Sequence, residues 1–384
     1  MKVLYDHQAF MWSKYSGIPR YFCELIERFQ NDIDVTPVFP KGWCQNYDYR
    51  NLIGMSNPPL SWRVCDSILN LSKNTINKDI SAYLSNLEKK SISMLKQGKY
   101  DIFHPTHFSQ YYLKYVQDTN LPVVITVHDF TYEKYSEYYS IKSAARVIQN
   151  TRLALENATH IICISEYTKN ELLTYYDIDN SKIDVIHHGL PSLSELAKVD
   201  IIDDNVLRDD DNYLLFVGVR NGHKNFYMLM VSLRLILHEN NLKLICVGAP
   251  FSDDEMLYIN SLGLASRVIS VSANNIQLVS LYRNALAFIF PSVNEGFGFP
   301  ILEAFSCGCP VLCSDGSSFP EIAGDAAVYF NPKMADSIQG AVLKILHDPK
   351  LRQKMSQKGY QQLETFSWKK CAEDTKAVYR KVIS

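Results

Sequence analysis

Hydrophobic residues in this chain come in short runs, separated by longer stretches in which apolar positions recur every three or four residues. Short apolar runs read as strands buried on both faces, and the longer period reads as amphipathic helices that cover them. In the first half the runs are Lys2–Tyr5, Val35–Phe39, Ile102–His104, Val123–His128, Ile161–Ile164 and Ile183–Ile186. A second series follows at Tyr213–Val217, Lys243–Val247, Val268–Val271, Ala287–Phe290, Pro310–Cys313 and Ala327–Phe330. Strand and helix alternate throughout, which predicts α/β architecture with parallel sheets, twice over.

Between the two series, Pro191–Asn212 has no apolar period and carries Asp203, Asp204, Asp209, Asp210 and Asp211. It reads as a linker between a first domain, 1–190, and a second, 213–365. The closing segment 366–384 has helical propensity and is expected to pack back on the first domain.

Composition supports the same division. A length of 384 residues with 47% hydrophobic and 21% charged residues suits two ordinary globular domains. A formal net charge of -2 leaves no surplus cation to neutralise a nucleic-acid backbone, so any anion site is local. The opening Met1–His7 enters a strand at once, unlike a signal peptide, and no apolar run approaches the ~18 residues of a membrane span. The expected location is cytoplasmic, with peripheral contact at the inner face of a membrane as an extension of that reading. Nine scattered cysteines fit reduced, buried thiols. Cys307, Cys309 and Cys313 lack the spacing of a metal knuckle and read as small residues packing a turn, so no metal site is expected.

In doubly wound sheets, ligands bind where loops leave the carboxyl ends of strands. The richest such loop runs from Pro291 through Asn294, Glu295, Gly296, Phe297, Gly298, Phe299 and Pro300 to Glu303 and Ala304. A strand, a glycine-containing loop and a helix start with Pro300 near its first position bring backbone amides close to a ligand and make an anion site suited to a diphosphate. Glu295 falls in the loop and Glu303 is expected in the first turn. Carboxylates beside a phosphate repel it unless they face hydroxyls, and a nucleotide sugar has hydroxyls at both ends.

The Glu295-to-Glu303 spacing is an E-x7-E motif, and its surroundings resemble glycosyltransferase family 4. The resemblance implies a GT-B fold: two Rossmann-like doubly wound domains facing across a cleft. By position it implies that Glu295 bonds donor-sugar hydroxyls, that the amides of Phe297 and Gly298 contact sugar and phosphate, and that Glu303 binds ribose. The stretch Gly218-Val219-Arg220-Asn221-Gly222-His223-Lys224-Asn225 resembles the family's cationic loop, with Arg220 and Lys224 stabilising the diphosphate as it leaves. Tyr15-Ser16-Gly17 resembles the family's glycine loop near donor and acceptor, although members often carry a second glycine where this chain has Ser16. The resemblance also places His128, at the end of Val127-His128-Asp129, near the transferred sugar. Asp129 is a candidate to orient His128 or meet an acceptor; His104 and His107 are weaker candidates. Ser165, Ser318 and Glu321 are read as helix caps.

Together these imply a retaining, metal-independent transferase, with no cofactor beyond its nucleotide diphosphate sugar. It would move a hexose-type sugar to a saccharide or lipid-linked saccharide in bacterial surface-polysaccharide synthesis. Asp209-Asp210-Asp211 formally matches the D-x-D of metal-dependent transferases, but it precedes a strand and reads as solvated linker acid. Two other classes share these features: a sugar-nucleotide epimerase or hydrolase, and a non-catalytic carbohydrate-binding protein.

Overall fold

The computed structural model describes residues 1–12, 17–29, 33–37, 44, 46–52, 54, 76–191, 193–198, 212–220 and 222–384. The chain divides into two compact units. The first comprises Met1–Ile164, Thr168–His188 and Trp368–Ser384; the second comprises Ser165–Tyr167 and Gly189–Ser367.

In the first unit, β1 (Lys2–Tyr5), β2 (Asp34–Pro37) and β3 (Ile102–His104) form a parallel sheet in the order β2-β1-β3. A second parallel sheet orders β4 (Val124–Val127), β5 (His160–Cys163) and β6 (Ile183–Val185) consecutively, and a bridge between Phe103 and Val123 connects the two. Leu4, Phe103, Ile125, Val127, Ile161 and Cys163 join one core beneath the helices. The helix Trp368–Ile383 buries Cys371, Ala372, Thr375, Val378 and Tyr379, the stripe expected of a helix that covers a sheet. Its Tyr379 hydroxyl meets the Tyr5 hydroxyl at 2.8 Å and His104 Nδ1 at 2.6 Å.

The second unit holds β7 (Tyr213–Val217), β8 (Lys243–Val247), β9 (Val268–Val271), β10 (Ala287–Phe290), β11 (Val311–Ser314) and β12 (Ala327–Phe330). They form one parallel sheet in the order β12-β11-β10-β7-β8-β9. Every residue of β10 and β11 is buried, as strands covered on both faces must be. From β7 the chain winds outward through β8 and β9, then returns to the other side of β7 and winds through β10, β11 and β12. The winding therefore reverses between β7 and β10, where a doubly wound sheet opens a crevice at its strand ends.

The start of the segment expected to be a linker is packed. Leu193–Leu196 is a short helix with Leu193 and Ser194 buried, Ser194 Oγ lies 2.6 Å from Ser306 Oγ, and Arg283 donates to the Ala197 carbonyl at 2.8 Å. Residues 199–211, including Asp203, Asp204 and Asp209–Asp211, lie outside the described residues. Cys307, Cys309 and Cys313 are buried, and burial raises each thiol's pKa, that of Cys307 to about 12.

Candidate active site

The two loops that leave β7 and β10 flank the point of reversal in the second sheet. After β10, the chain passes through Pro291–Gly298 and starts the helix Phe299–Ser306. Gly298 caps that helix with φ of 111°, a backbone conformation that other residues rarely adopt, so the local geometry calls for glycine. Phe297 is buried, its ring 5.3 Å from Phe299 and 5.7 Å from Phe366; its side chain anchors the loop while the backbone passes over it.

Serine hydroxyls hold the loop's carbonyls. Ser317 Oγ donates to the Glu295 carbonyl at 2.6 Å and accepts from the Glu295 amide at 2.7 Å. Ser318 Oγ reaches the carbonyls of Glu295 and Phe297 at 2.9 and 2.7 Å, and Ser165 Oγ reaches that of Gly296 at 2.7 Å. The expectation that Ser318 caps its own helix is therefore corrected. Ser318 makes no side-chain cap bond to that helix, and its hydroxyl serves loop carbonyls that need donors. Glu321 is also redirected: its carboxylate accepts from the amides of Glu166 at 2.8 Å and Tyr167 at 3.2 Å, while the Tyr167 hydroxyl donates to Asn294 Oδ1 at 2.6 Å.

Glu295 and Lys224 form an ion pair, with about four-fifths of each side chain covered. Lys224 ends the short turn Gly222–Lys224, and the neighbouring His223 carbonyl accepts from the Val293 amide at 2.8 Å, which ties the β7 loop to the β10 loop. The Lys224 ammonium also lies 5.7 Å from the Phe290 ring centre.

Arg220, expected as a second cation for the diphosphate, is paired with a carboxylate, as Lys224 is. It is 7% exposed and grips Glu255 with two bonds, Nε to Oε1 at 2.9 Å and Nη2 to Oε2 at 3.1 Å. Nη2 also donates to the Pro250 carbonyl at 3.0 Å, and the guanidinium stands 4.8 Å from the Phe251 ring centre. Glu255 is itself the reciprocal partner in a capping box with Ser252 at the start of the helix Asp253–Ser261. Arg220 and its hydrogen bonds hold Glu255 below the usual carboxylate range despite burial. The charge on Arg220 is balanced locally, because a guanidinium buried beside a carboxylate is stable only when paired.

Glu303 lies beyond the first turn of its helix, correcting that expectation and removing the dipole as its main support. Its Oε2 accepts from the Tyr282 hydroxyl at 3.1 Å, on the buried face of the helix Asn275–Asn284. Burial, with the Glu303 carboxylate beside it, raises the Tyr282 phenol well above its ordinary range, so this phenol stays a donor.

In the first unit, Gly17 opens the helix Gly17–Phe29, while Tyr15 and Ser16 lie outside the described residues. His128 directly follows β4. Its Nε2 is covered and has no hydrogen-bond partner among the described residues. Burial lowers the pKa of this imidazole to about 4, so it is neutral near pH 7. The ring stands edge-on to Tyr21 at 5.7 Å and lies 5.9 Å from His188, which in turn lies 5.4 Å from Trp368. Tyr21, His188 and Trp368 were missed by sequence reasoning; the one available signal was a histidine pair directly after the β6 run.

Asp129 does not point back to orient His128; its Oδ1 accepts from the Thr131 amide at 2.9 Å and starts the next helix turn. His104 is fully internal: Nδ1 meets Tyr379 and Nε2 meets Thr126 Oγ1 at 3.0 Å. His107 is partly exposed, and its Nδ1 lies 3.3 Å from the Phe108 carbonyl.

Known families match both halves. The family described as Glycosyltransferase Family 4 matches residues 15–192, and that described as Glycosyl transferases group 1 matches residues 198–362. The chain belongs to glycosyltransferase family 4. Among relatives of this family-4 chain is the O-antigen chain mannosyltransferase B of Escherichia coli, 27% identical over 312 residues, 78% of this chain and 80% of that protein. The O-antigen chain mannosyltransferase RfbU of Salmonella typhimurium is 29% identical over 224 residues, 58% of this chain and 60% of that protein. A solved structure of Anabaena HepE in complex with UDP and glucose superposes with a TM-score of 0.70 at 17% identity, covering 99% of this chain and 100% of that one. This family-4 chain is thus a glycosyltransferase of the GT-B fold.

Proposed function

We propose that this glycosyltransferase moves a hexose, mannose being the first candidate, from a nucleoside diphosphate sugar to a saccharide or lipid-linked saccharide of a surface polysaccharide. The observation that carries the reading is the Lys224–Glu295 pair at the reversal point of the second sheet, beside a glycine-capped helix start. A diphosphate calls for the ammonium and the helix amides; a sugar calls for the carboxylate. Mannose is favoured by the mannosyltransferase names of the bacterial relatives.

In this mechanism the donor displaces Lys224 from Glu295. Lys224 then neutralises the diphosphate, Glu295 bonds a sugar hydroxyl, and Glu303, steadied by Tyr282, bonds the ribose. The bond between the anomeric carbon and the phosphate oxygen breaks, and the acceptor oxygen bonds the same face of that carbon. The acceptor's proton passes to the departing phosphate oxygen, which gives retention of configuration without a covalent enzyme intermediate. His128 is neutral near pH 7, with a covered Nε2 that can bond a hydroxyl. The positive charge needed is supplied by Lys224 and backbone amides, so no metal is required. A cytoplasmic location with peripheral membrane contact belongs to the same proposal; no helix among the described residues is long and apolar enough to cross a membrane.

The deciding experiment offers GDP-mannose, UDP-glucose and related donors, each with and without mannose oligosaccharides, in the presence of chelator. Transfer product with the donor's anomeric configuration is expected. Free sugar or epimerised nucleotide sugar without transfer would replace this reading, and loss of turnover restored by manganese would remove its metal-free part.

A further inference from the structure

The segment that follows His128 and Asp129 places four tyrosines in nine residues, Thr131–Tyr139. It folds as the short helix Thr131–Lys134 and the turn Ser136–Tyr138, leading into the helix Ile141–Glu156. Phe130 is buried and anchors the start of this segment, with its ring 6.0 Å from Tyr175 and 5.7 Å from Tyr176. Beyond it the rings pair: Tyr132 lies 4.2 Å from Tyr139, and Tyr135 lies parallel to Tyr138 at 5.9 Å with 12° between planes. Tyr138 is 51% exposed and Ile141 87% exposed, so apolar surface faces water here.

Polar groups fix the arrangement from below. Lys134 pairs with Glu171 at 2.9 Å, and the Tyr176 hydroxyl donates to Glu133 at 2.7 Å. Held rings lose little freedom when they bind, because a tyrosine has two side-chain torsions and these are already restricted by stacking. Paired rings that share an exposed edge offer a ligand more than a single exposed apolar residue does.

We propose that Tyr132, Tyr135, Tyr138 and Tyr139 form the platform for the acceptor glycan, a reading that rests on the transferase function above. Two features favour a saccharide. The first ring of the platform, Tyr132, stands four residues after His128, in the segment that leaves the carboxyl end of β4, where doubly wound folds place their ligands. It also carries no cluster of Lys and Arg: Lys134 is already paired with Glu171, and Glu133 and Glu137 share the segment with Lys142. An anionic membrane surface attracts clustered Lys and Arg, whereas a neutral sugar chain needs aromatic faces for its C–H surfaces and hydroxyls for its own. Tyrosine supplies both.

The test uses the donor and oligosaccharide acceptor that give turnover in the panel above. Tyr138→Ala, and Tyr135→Ala with Tyr138→Ala, should raise the KM for the oligosaccharide about tenfold, more for longer acceptors, while Tyr138→Phe keeps most of the affinity. Thermal melting of each variant checks its fold, and saturation-transfer NMR with the same oligosaccharide should lose tyrosine contacts in the alanine variants. Unchanged acceptor KM in folded alanine variants overturns the platform alone. So does unchanged KM with lost binding to phosphatidylglycerol vesicles, or with a dimer turned to monomer. Absence of transfer to any saccharide removes the function reading, and the platform with it.

Discussion

Lys224 and Glu295 neutralise one another across the loops that leave β7 and β10. The two groups that family likeness assigns to phosphate and sugar thus hold each other before any donor arrives. A donor must separate them, and each then finds a new partner on the same molecule.

This makes Glu295→Gln informative in sign. Removing the carboxylate releases Lys224, so free GDP or UDP should bind more tightly, about fivefold for a partly exposed pair worth about 1 kcal/mol, with the gain shrinking in high salt. Turnover should fall because the sugar contact is weakened. Isothermal titration at two salt concentrations beside a transfer assay decides it; weaker nucleotide binding would mean that Glu295 itself supports the nucleotide.

Arg220 and Glu255 should behave as one structural unit. Arg220→Ala strands a mostly buried carboxylate and should cost about 3 kcal/mol in denaturant unfolding. Glu255→Gln keeps the Ser252 capping box, since glutamine serves at that position, but strands the guanidinium. A double-mutant cycle should therefore show strong coupling. Additive losses would mean that the two residues act separately.

Glu303 should govern the nucleotide, not the sugar. Glu303→Ala should weaken nucleoside diphosphate binding roughly ten- to a hundredfold, as expected for lost hydrogen bonds to a charged group. Tyr282→Phe, which only loosens Glu303, should weaken it less. Calorimetric affinities equal to wild type in folded Glu303→Ala would remove the ribose assignment.

Acid should destabilise the first unit through its buried histidines. Burial lowers the pKa of His104 to about 3, His128 to about 4 and His188 well below the ordinary range. The unfolded chain takes up these protons near pH 6.5, and the folded chain resists them to much lower pH. Stability is therefore fully present above about 6.5 and falls as pH drops through the window towards about 4 and 3. His104→Gln should lower the melting temperature at neutral pH, because the Tyr379 and Thr126 bonds change, yet flatten the acid slope. A slope as steep as wild type would place the acid sensitivity elsewhere.

Much of the fold was legible because buried parallel strands are nearly all apolar: β1, β3, β7, β8, β9, β10 and β12 lie at their expected positions, β5 and β11 shift by a residue, and β4 is a residue shorter at each end. The E-x7-E loop was equally legible because its glycines and proline carry local backbone information. What spacing could not reveal was the partner of each side chain. Arg220 and Glu255 are separated by the helix Phe226–Glu239, the strand β8 and their loops, and a sequence shows two charges without showing that they meet. Ser318 followed by Glu321 has a capping pattern, but a hydroxyl bonds the nearest unsatisfied carbonyl, and that carbonyl belongs to a loop more than twenty residues earlier. His104 and His128 look alike at strand ends; only the surrounding side chains determine that one is saturated and the other has an open nitrogen.

The helix Trp368–Ile383 has a consequence for how the chain is made. It belongs to the first unit and closes the hydrogen-bond chain through Tyr379, Tyr5 and His104, yet it is synthesised after the whole second unit. The second unit can complete its sheet while the first still waits for this helix with part of its core uncovered. A ribosome-bound chain stopped before Trp368 should present that unfinished surface to chaperones, and a chimera that exchanges the first unit must carry Trp368–Ser384 together with the segments before Gly189.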